Sequence, residues 1–276
     1  MVGSPKSPTS PGRPSPQEAE REKRGRETRA RARHSRRMAP PLLTLTLGLR
    51  GSASTWAYNV ARELLAASCG EAQVVACFAN APADLLGEAR ALGRRVVCKT
   101  HGFAGLDVLA HLAQARLVAT VRDPRDAVVS LVERFASPLD AAVRGVAQTC
   151  QYAAWCGAVG QLVLRYEDRF FDEPEAVARV ARHLGLPPDP AAEARIFAAW
   201  RTEQVRAFAQ SVATLPPERV VSDGRVYLYD RLTQVHRTHI GDGRVGKWRE
   251  RLDATARADL TRLFAPFLDR FGYPRD

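Results

Sequence analysis

The stretch Leu42–Trp56, LLTLTLGLRGSASTW, constrains the fold more than any other part of the chain. Leu and Thr make a short apolar run, a turn of small residues follows, and YNVARELLAA then takes up a helical period. Strand, small-residue turn and helix, in that order, build an anion site. The turn's N–H groups and the unpaired first N–H groups of the helix converge where the helix dipole favours negative charge. Ser52, Ser54 and Thr55 add hydroxyl donors, and Gly51 lets a phosphate approach the backbone closely. Ala53 and Trp56 complete the turn.

Two later segments call for the same ligand. Val96–His101 reads VVCKTH and Leu117–Leu131 reads LVATVRDPRDAVVSL. Each opens as a β-branched run suited to a buried parallel strand and delivers polar residues at its C-terminal end. In open parallel sheets ligands bind beyond those ends, so the Gly51–Trp56 turn, Lys99/His101 and Arg122 are expected to share one crevice. Asp123 followed by Pro124 marks a helix start, with an N-cap acceptor and then proline at the first helical position, and Ser130 lies two turns on. Arg125 and Asp126 read as a solvated pair at that start, and Glu167 and Asp168 as braces of a strand-to-helix corner. His111, His183 and His236 read as structural or exposed.

A Walker site is excluded, because G-x-x-x-x-G-K-[ST] needs a lysine before the Ser/Thr and Gly48–Thr55 reads GLRGSAST. The dinucleotide fingerprint G-x-G-x-x-G is absent, as are HExxH and CxxC, and the six histidines show no ligand spacing, so no metal is expected.

Taken together, the motifs resemble those of the sulfotransferases that use 3′-phosphoadenosine 5′-phosphosulfate (PAPS). RGSASTW (Arg50–Trp56) is similar to the family's 5′-phosphosulfate loop, usually PKSGTTW. KTH (Lys99–His101) is similar to the segment bearing its catalytic histidine, and VRDPRDAVVSL (Val121–Leu131) to its 3′-phosphate motif. LVLRYEDRFFDEPEAVARVARHLGL (Leu162–Leu186) is similar to its strand, YED corner and following helix, and GRVGKWRERL (Gly243–Leu252) to its late Gly-rich loop. The resemblance implies a PAPS-dependent sulfotransferase with PAPS as co-substrate, no metal, and a small-molecule or glycan acceptor. It implies His101 as general base and Lys99 beside the transferring group. Ser52, Ser54 and Thr55 would hold the 5′ phosphate, Trp56 would stack on adenine, and Tyr166 would lie at its edge. Arg122 and Ser130 would grip the 3′ phosphate. The chain departs from the pattern where the family's loop lysine becomes Gly51; Arg50 or Lys99 must then supply the leaving-group cation. The family's late Arg-Lys-Gly has no ungapped counterpart either, so Arg244 or His239 stands in. The departures leave open a nucleotide-binding member that turns over poorly.

Length and alternation agree with one α/β domain of three layers over residues 39–276, a mainly parallel central sheet with helices on both faces. Strands are expected near 42–48, 73–79, 95–99, 116–121 and 161–166. Helices are expected near 55–68, 124–136, 139–157, 174–184, 190–212 and 253–271. Residues 1–38 are a different material, a Pro/Ser/Arg-rich tail expected to be disordered. Its first 37 residues hold eleven Lys/Arg and four Glu, hence +7 of the chain's +11. Such a tail admits a third reading, binding of nucleic acid or an acidic partner, but it lacks interleaved aromatics. Met38 also begins a plausible shorter protein. Five cysteines without framework spacing fit a reducing cytoplasm, no membrane span is expected, and oligomeric state is not legible.

Overall fold

The computed structural model describes residues 42–86, 93–222, 228–238 and 240–276. The tail expected over residues 1–38 lies outside the described residues, as do Tyr227 and His239. The described elements all belong to the unit Ala39–Asp276.

Strands β1 (Leu43–Gly48), β2 (Val74–Phe78), β3 (Arg95–Thr100), β4 (Arg116–Val121) and β5 (Leu162–Arg165) form one parallel sheet in the order β2-β3-β1-β4-β5. The central β1 is buried on both faces, with Leu45 in register with Cys98 on one side and Leu117 on the other. Ten helices accompany the sheet among the described residues. They are α1 (Ser54–Cys69), α2 (Pro82–Leu86), α3 (Leu106–Leu112), α4 (Pro124–Phe135), α5 (Leu139–Ala158), α6 (Pro174–His183), α7 (Pro190–Ala199), α8 (Thr202–Ser211), α9 (Trp248–Arg251) and α10 (Ala254–Phe271).

The alternation in LTLTLG assigns the two faces. Leu45 and Leu47 enter a core with Leu117 of β4 and with Val128, Val146, Phe264 and Phe267, drawn from α4, α5 and α10. On the opposite face α1 lays Val60, Leu64 and Leu65 over Val97, Val118 and Leu164, covered in turn by Val177, Val180 and Ile196 of α6 and α7. Full burial of each such side chain stabilises by roughly 1.5–3 kcal/mol, so the three layers hold together through these two seams. The chain leaves β1 toward one sheet edge and β4 toward the other. The crevice therefore opens between the carboxyl ends of β1 and β4, where such a reversal leaves room for a ligand.

The five expected strands and most expected helices are present at nearly the expected bounds. Two expectations are corrected. The helix expected over 190–212 is two helices, α7 and α8, broken where Arg201 turns extended at φ −62°, ψ 151°. At that break Trp200 is buried and its Nε1–H donates to Glu63 Oε1 at 2.8 Å, so docking on α1 outweighs helical continuity. Arg125 and Asp126 are not solvated but fully buried. The Arg125 guanidinium bonds both oxygens of Asp123 (3.0 and 2.8 Å), Pro274 O (2.5 Å), Arg275 O (3.3 Å) and Thr261 Oγ1 (3.0 Å), and lies 3.7 Å from the centre of the Trp248 ring. A buried charge survives only when it is paired and hydrogen-bonded in this way. The short α2, α3, α9 and the hairpin β6 (Val220–Ser222)–β7 (Leu228–Asp230) had no counterpart among the expected elements.

Candidate functional site

A cavity of about 780 Å³ opens at the carboxyl ends of β1, β3 and β4. Of the residues singled out from the sequence, Arg50, Gly51, Ala53, Ser54, Thr55, Trp56, Lys99, His101, Arg122, Ser130 and Tyr166 line it. Ser52 and Arg244 are not among its lining residues.

The loop after β1 is built as a cradle. Ala53 takes a left-handed conformation (φ 59°) and α1 starts at Ser54 without a side-chain cap on its leading N–H groups, of which Trp56 N turns back to Ala53 O at 3.0 Å. A Cβ built on Gly51 (φ +77°) would lie 2.8 Å from Ser130 Oγ and 3.3 Å from Arg122 Nη1, so the turn and the start of α4 touch through this glycine. The three hydroxyls of the turn have different duties. Ser52 is turned inward, where its Oγ meets Leu49 O (2.5 Å), Thr120 O (3.1 Å) and Thr120 Oγ1 (2.7 Å), tying the exits of β1 and β4 together. Its hydroxyl is therefore engaged between the two strand exits, away from the cavity lining. Thr55 Oγ1 accepts from Lys99 Nζ at 2.7 Å, and Ser54 lines the cavity.

Lys99 and His101 leave the end of β3 on the same side. Lys99 is only 4% exposed. Burial, and then the charges of Arg50 and Arg134, pull its pKa down from 10.5 to about 7. The imidazole of His101 is half-buried, with Nδ1 2.7 Å from Gly48 O. A carbonyl only accepts, so Nδ1 carries the proton and Nε2 is left with a lone pair. Burial, then Arg50 and Lys99, push the His101 pKa well below its ordinary value, and the bond to Gly48 O opposes them without prevailing. The ring is therefore a neutral base of defined tautomer.

Arg122 joins two loops. Its Nη1 donates to Gly51 O (3.1 Å) and its Nη2 to Arg244 O (2.7 Å), while its guanidinium lies 4.7 Å from the centre of the Tyr166 ring. Asp126 holds the same late loop by accepting from Gly246 N (2.6 Å) and Trp248 N (3.0 Å). The Tyr166 hydroxyl reaches Gly243 O at 3.4 Å. Arg244 brings its carbonyl to Arg122, while its side chain is exposed, paired with Glu250 at 2.5 Å and outside the cavity lining. Lys247 of the same loop lines the cavity instead, held by Glu133 at 2.5 Å and Asp242 at 3.3 Å. Trp56 reaches the cavity wall and packs edge-on against Phe170 at 5.2 Å. Glu167 accepts from Asp123 N and Tyr273 OH, both at 3.0 Å, and so braces the corner after β5.

Sequence reasoning missed Asp126, Lys247, Arg134 and His236. His236 follows a turn that Tyr58 and Asn59 of α1 pin by donating to Leu232 O (3.0 Å) and Thr233 O (2.8 Å). Burial, then Lys99, Arg134 and Arg50, lower the His236 pKa to about 4. Only Lys247 carried a signal, as the one lysine in GRVGKW. Among the described residues no cluster of three or more His, Cys, Asp or Glu could hold a metal ion, and no helix is long and apolar enough to cross a membrane.

This is an open α/β sheet with a cavity at its reversal point, and solved structures share the fold. A crystal structure of retinol dehydratase in a complex with retinol and PAP superposes with a TM-score of 0.56 at 17% identity, over 84% of this chain and 82% of that one. Retinol dehydratase in complex with androsterone and inactive cofactor PAP gives 0.55 at 17% identity over the same shares, 84% and 82%. Mouse sulfotransferase SULT7A1 complexed with PAP gives 0.56 at 13% identity, over 84% and 86%. No family model and no curated protein matches the chain. The likeness is one of fold: this chain has the fold of these PAP-complexed proteins.

Proposed function

We propose that the chain binds PAPS and transfers its sulfuryl group to a hydroxyl or amine of an acceptor, with His101 as general base and Lys99 as the cation beside the reacting group. The observation that carries the reading is the His101 imidazole with Nδ1 2.7 Å from Gly48 O, at the cavity wall two residues past a buried lysine that bonds Thr55 of the phosphate-type loop. The three PAP complexes of the same fold support a nucleotide of that kind in the crevice.

The residues present fit such a group. Gly51 lets the loop pack directly against Ser130 and Arg122, so both side chains stand beside the turn. Arg122 Nε is buried without a hydrogen-bond partner, a donor awaiting an acceptor. The N–H groups at the start of α1, with Ser54, would hold the 5′ phosphate, and Arg122 with Ser130 the 3′ phosphate, where a guanidinium suits bidentate contact. When bound, PAPS supplies an activated sulfuryl group whose departure leaves a phosphate.

The chain's own work is positioning and charge stabilisation, as in phosphoryl transfer. His101 Nε2 takes the acceptor's proton as the new bond to sulfur forms. Lys99, charged below about pH 7 even without a ligand and held against Thr55, stabilises the negative charge that collects on the leaving oxygen. It thereby takes over the duty of the lysine that Gly51 replaces, and Arg50 adds its charge from the cavity wall.

The test is incubation with radiolabelled PAPS and a panel of phenols, alcohols, amines and saccharides, alongside His101→Gln. Transfer by the parent and loss of at least about a hundredfold in His101→Gln, with PAP affinity within about threefold, supports the assignment. Turnover by His101→Gln at the parent rate refutes the base. PAP binding with no transfer to any acceptor points to the weakly active binder instead.

A further inference from the structure

The turn that carries His101 is clamped from α5, a helix to which no function has been assigned above. Thr149 is buried at 3% exposure, and its Oγ1 lies 2.7 Å from His101 O and 3.0 Å from Gly145 O. A threonine inside a helix ordinarily spends its one hydroxyl proton on the carbonyl four residues back. Here a second carbonyl, from another layer of the fold, sits closer. One turn further along the same face, Tyr152 lies against Gly102: a Cβ at that glycine (φ +101°) would fall 2.4 Å from Tyr152 Cδ2. A glycine directly after a general base is a soft joint, since it reaches conformations closed to other residues. Three contacts remove that softness. Gly102 N donates to Thr100 Oγ1 at 3.0 Å, the Tyr152 ring closes the space beside it, and Thr149 holds the carbonyl between the histidine and the glycine.

We propose that Thr149 is a positioning residue for His101: its hydroxyl, through the His101 carbonyl, keeps the imidazole on Gly48 O and its lone pair toward the cavity. The inference rests on the general-base reading above and deepens it. Thr149 touches the backbone of His101 and does not line the cavity, so it acts only through the histidine. Loss of the hydroxyl takes that donor from the carbonyl of the half-buried His101 and frees the turn to relax toward the open cavity. The groups that face His101 then act on it differently. Arg50 on the loop after β1, Lys99 on β3 and His236 beyond β7 all oppose its protonation, and burial opposes it most. A ring that swings outward escapes part of that burial, so its pKa climbs back toward the ordinary histidine value.

The experiment compares the parent with Thr149→Val, which keeps shape and loses the hydroxyl, and Thr149→Ser, which restores it. Two readouts are taken: the NMR titration of the His101 ring, which needs no turnover, and the pH profile of kcat with PAPS and whichever acceptor the panel yields. Thr149→Val should raise the His101 titration midpoint, move the acidic limb of kcat upward by the same amount and lower kcat by at least about tenfold, since small misplacements near a reacting centre cost that much or more. PAP affinity should hold, and Thr149→Ser should return all three toward the parent. An unmoved His101 titration in a folded Thr149→Val protein overturns the proposal, whatever happens to the rate. Should Thr149→Val not fold, Tyr152→Leu carries the same NMR test, because loosening Gly102 must shift the ring by the same route. A His101→Gln enzyme of parental rate would end the general-base reading, while the NMR titration would still decide whether Thr149 positions the ring.

Discussion

Titrating the protein with PAP by calorimetry, in buffers of different ionisation enthalpy, counts the protons that accompany the ligand, and Lys99 should dominate that count. In the free protein the side chain is 4% exposed and its pKa is pulled from 10.5 to about 7, first by burial and then by Arg50 and Arg134. Each tenfold change in a protonation equilibrium is worth about 1.4 kcal/mol, so keeping the ammonium there costs roughly 5 kcal/mol relative to water. An anion laid against the Thr55 end of the loop gives that ammonium a partner and lifts its pKa again. Near pH 8 the free protein holds only about a tenth of Lys99 charged, so binding should take up close to one proton. Near pH 7 the uptake should be about half a proton, and near pH 6 close to none, because the lysine is already charged. Lys99→Met should flatten this dependence and weaken binding at low pH. The ligand's own titration is common to both proteins, and the relief that Lys99→Met gives His101 and His236 is followed separately by NMR and subtracted, so the remaining difference isolates Lys99. Equal proton uptake by parent and Lys99→Met, or release in place of uptake, would refute the assignment of Lys99 to the bound anion.

The same lysine predicts a trade against stability. Its folded pKa lies below its unfolded one, so the ligand-free protein gains stability as pH rises from about 7 toward 10.5, and at lower pH carries the full penalty. Lys99→Met should raise Tm by several degrees at pH 6, and the advantage should vanish near pH 10; a lower Tm at pH 6 contradicts the burial argument. Ser52→Ala should cost about 1–2 kcal/mol in urea unfolding by leaving the β1 and β4 exits untied, with PAP affinity within about twofold. A large affinity loss without destabilisation would restore Ser52 to the anion site. Asp126→Ala should destabilise by about 3 kcal/mol or more, because it strands Arg122 and frees the Gly246 and Trp248 amides. Faster hydrogen exchange at 243–248 would mark the released loop. Gly51→Ala should lower PAP affinity at least about tenfold, since the methyl would push Ser130 and Arg122 aside at a backbone angle suited to glycine; unchanged affinity would show that those two side chains do not set the anion site.

The legible parts were those whose physics is local. Strands β1 to β5 announce themselves through Leu, Val and Thr runs, and Asp123-Pro124 fixes the start of α4, where Asp123 Oδ1 does cap Arg125 N at 2.9 Å. The loop after β1, the end of β3 and the end of β4 meet because a parallel sheet gathers its carboxyl ends, a rule that needs no long-range information. What the sequence hid depends on partners far along the chain. Arg125 reads as solvated until Pro274, Arg275 and Trp248 arrive, and Ser52 reads as a donor until Thr120 lies beside it. Trp200 interrupts a good helical period only because Glu63 waits on α1. His236 and Lys247 sit in segments with no strong periodicity, so their arrival at the cavity follows from the turn anchored by Asn59 and the loop anchored by Asp126.

The burial of Arg125 has a consequence for how the domain matures. Its guanidinium depends on the carbonyls of Pro274 and Arg275, while its neighbours Arg122 and Asp126 hold the loops at the mouth of the cavity. A nascent chain halted at Gly272 would already contain every candidate ligand-binding side chain, yet helix α4 would carry a cation with too few acceptors to sink into the interior. Burial of that cation, and with it the seating of α4 beside the crevice, thus waits for Pro274 and Arg275.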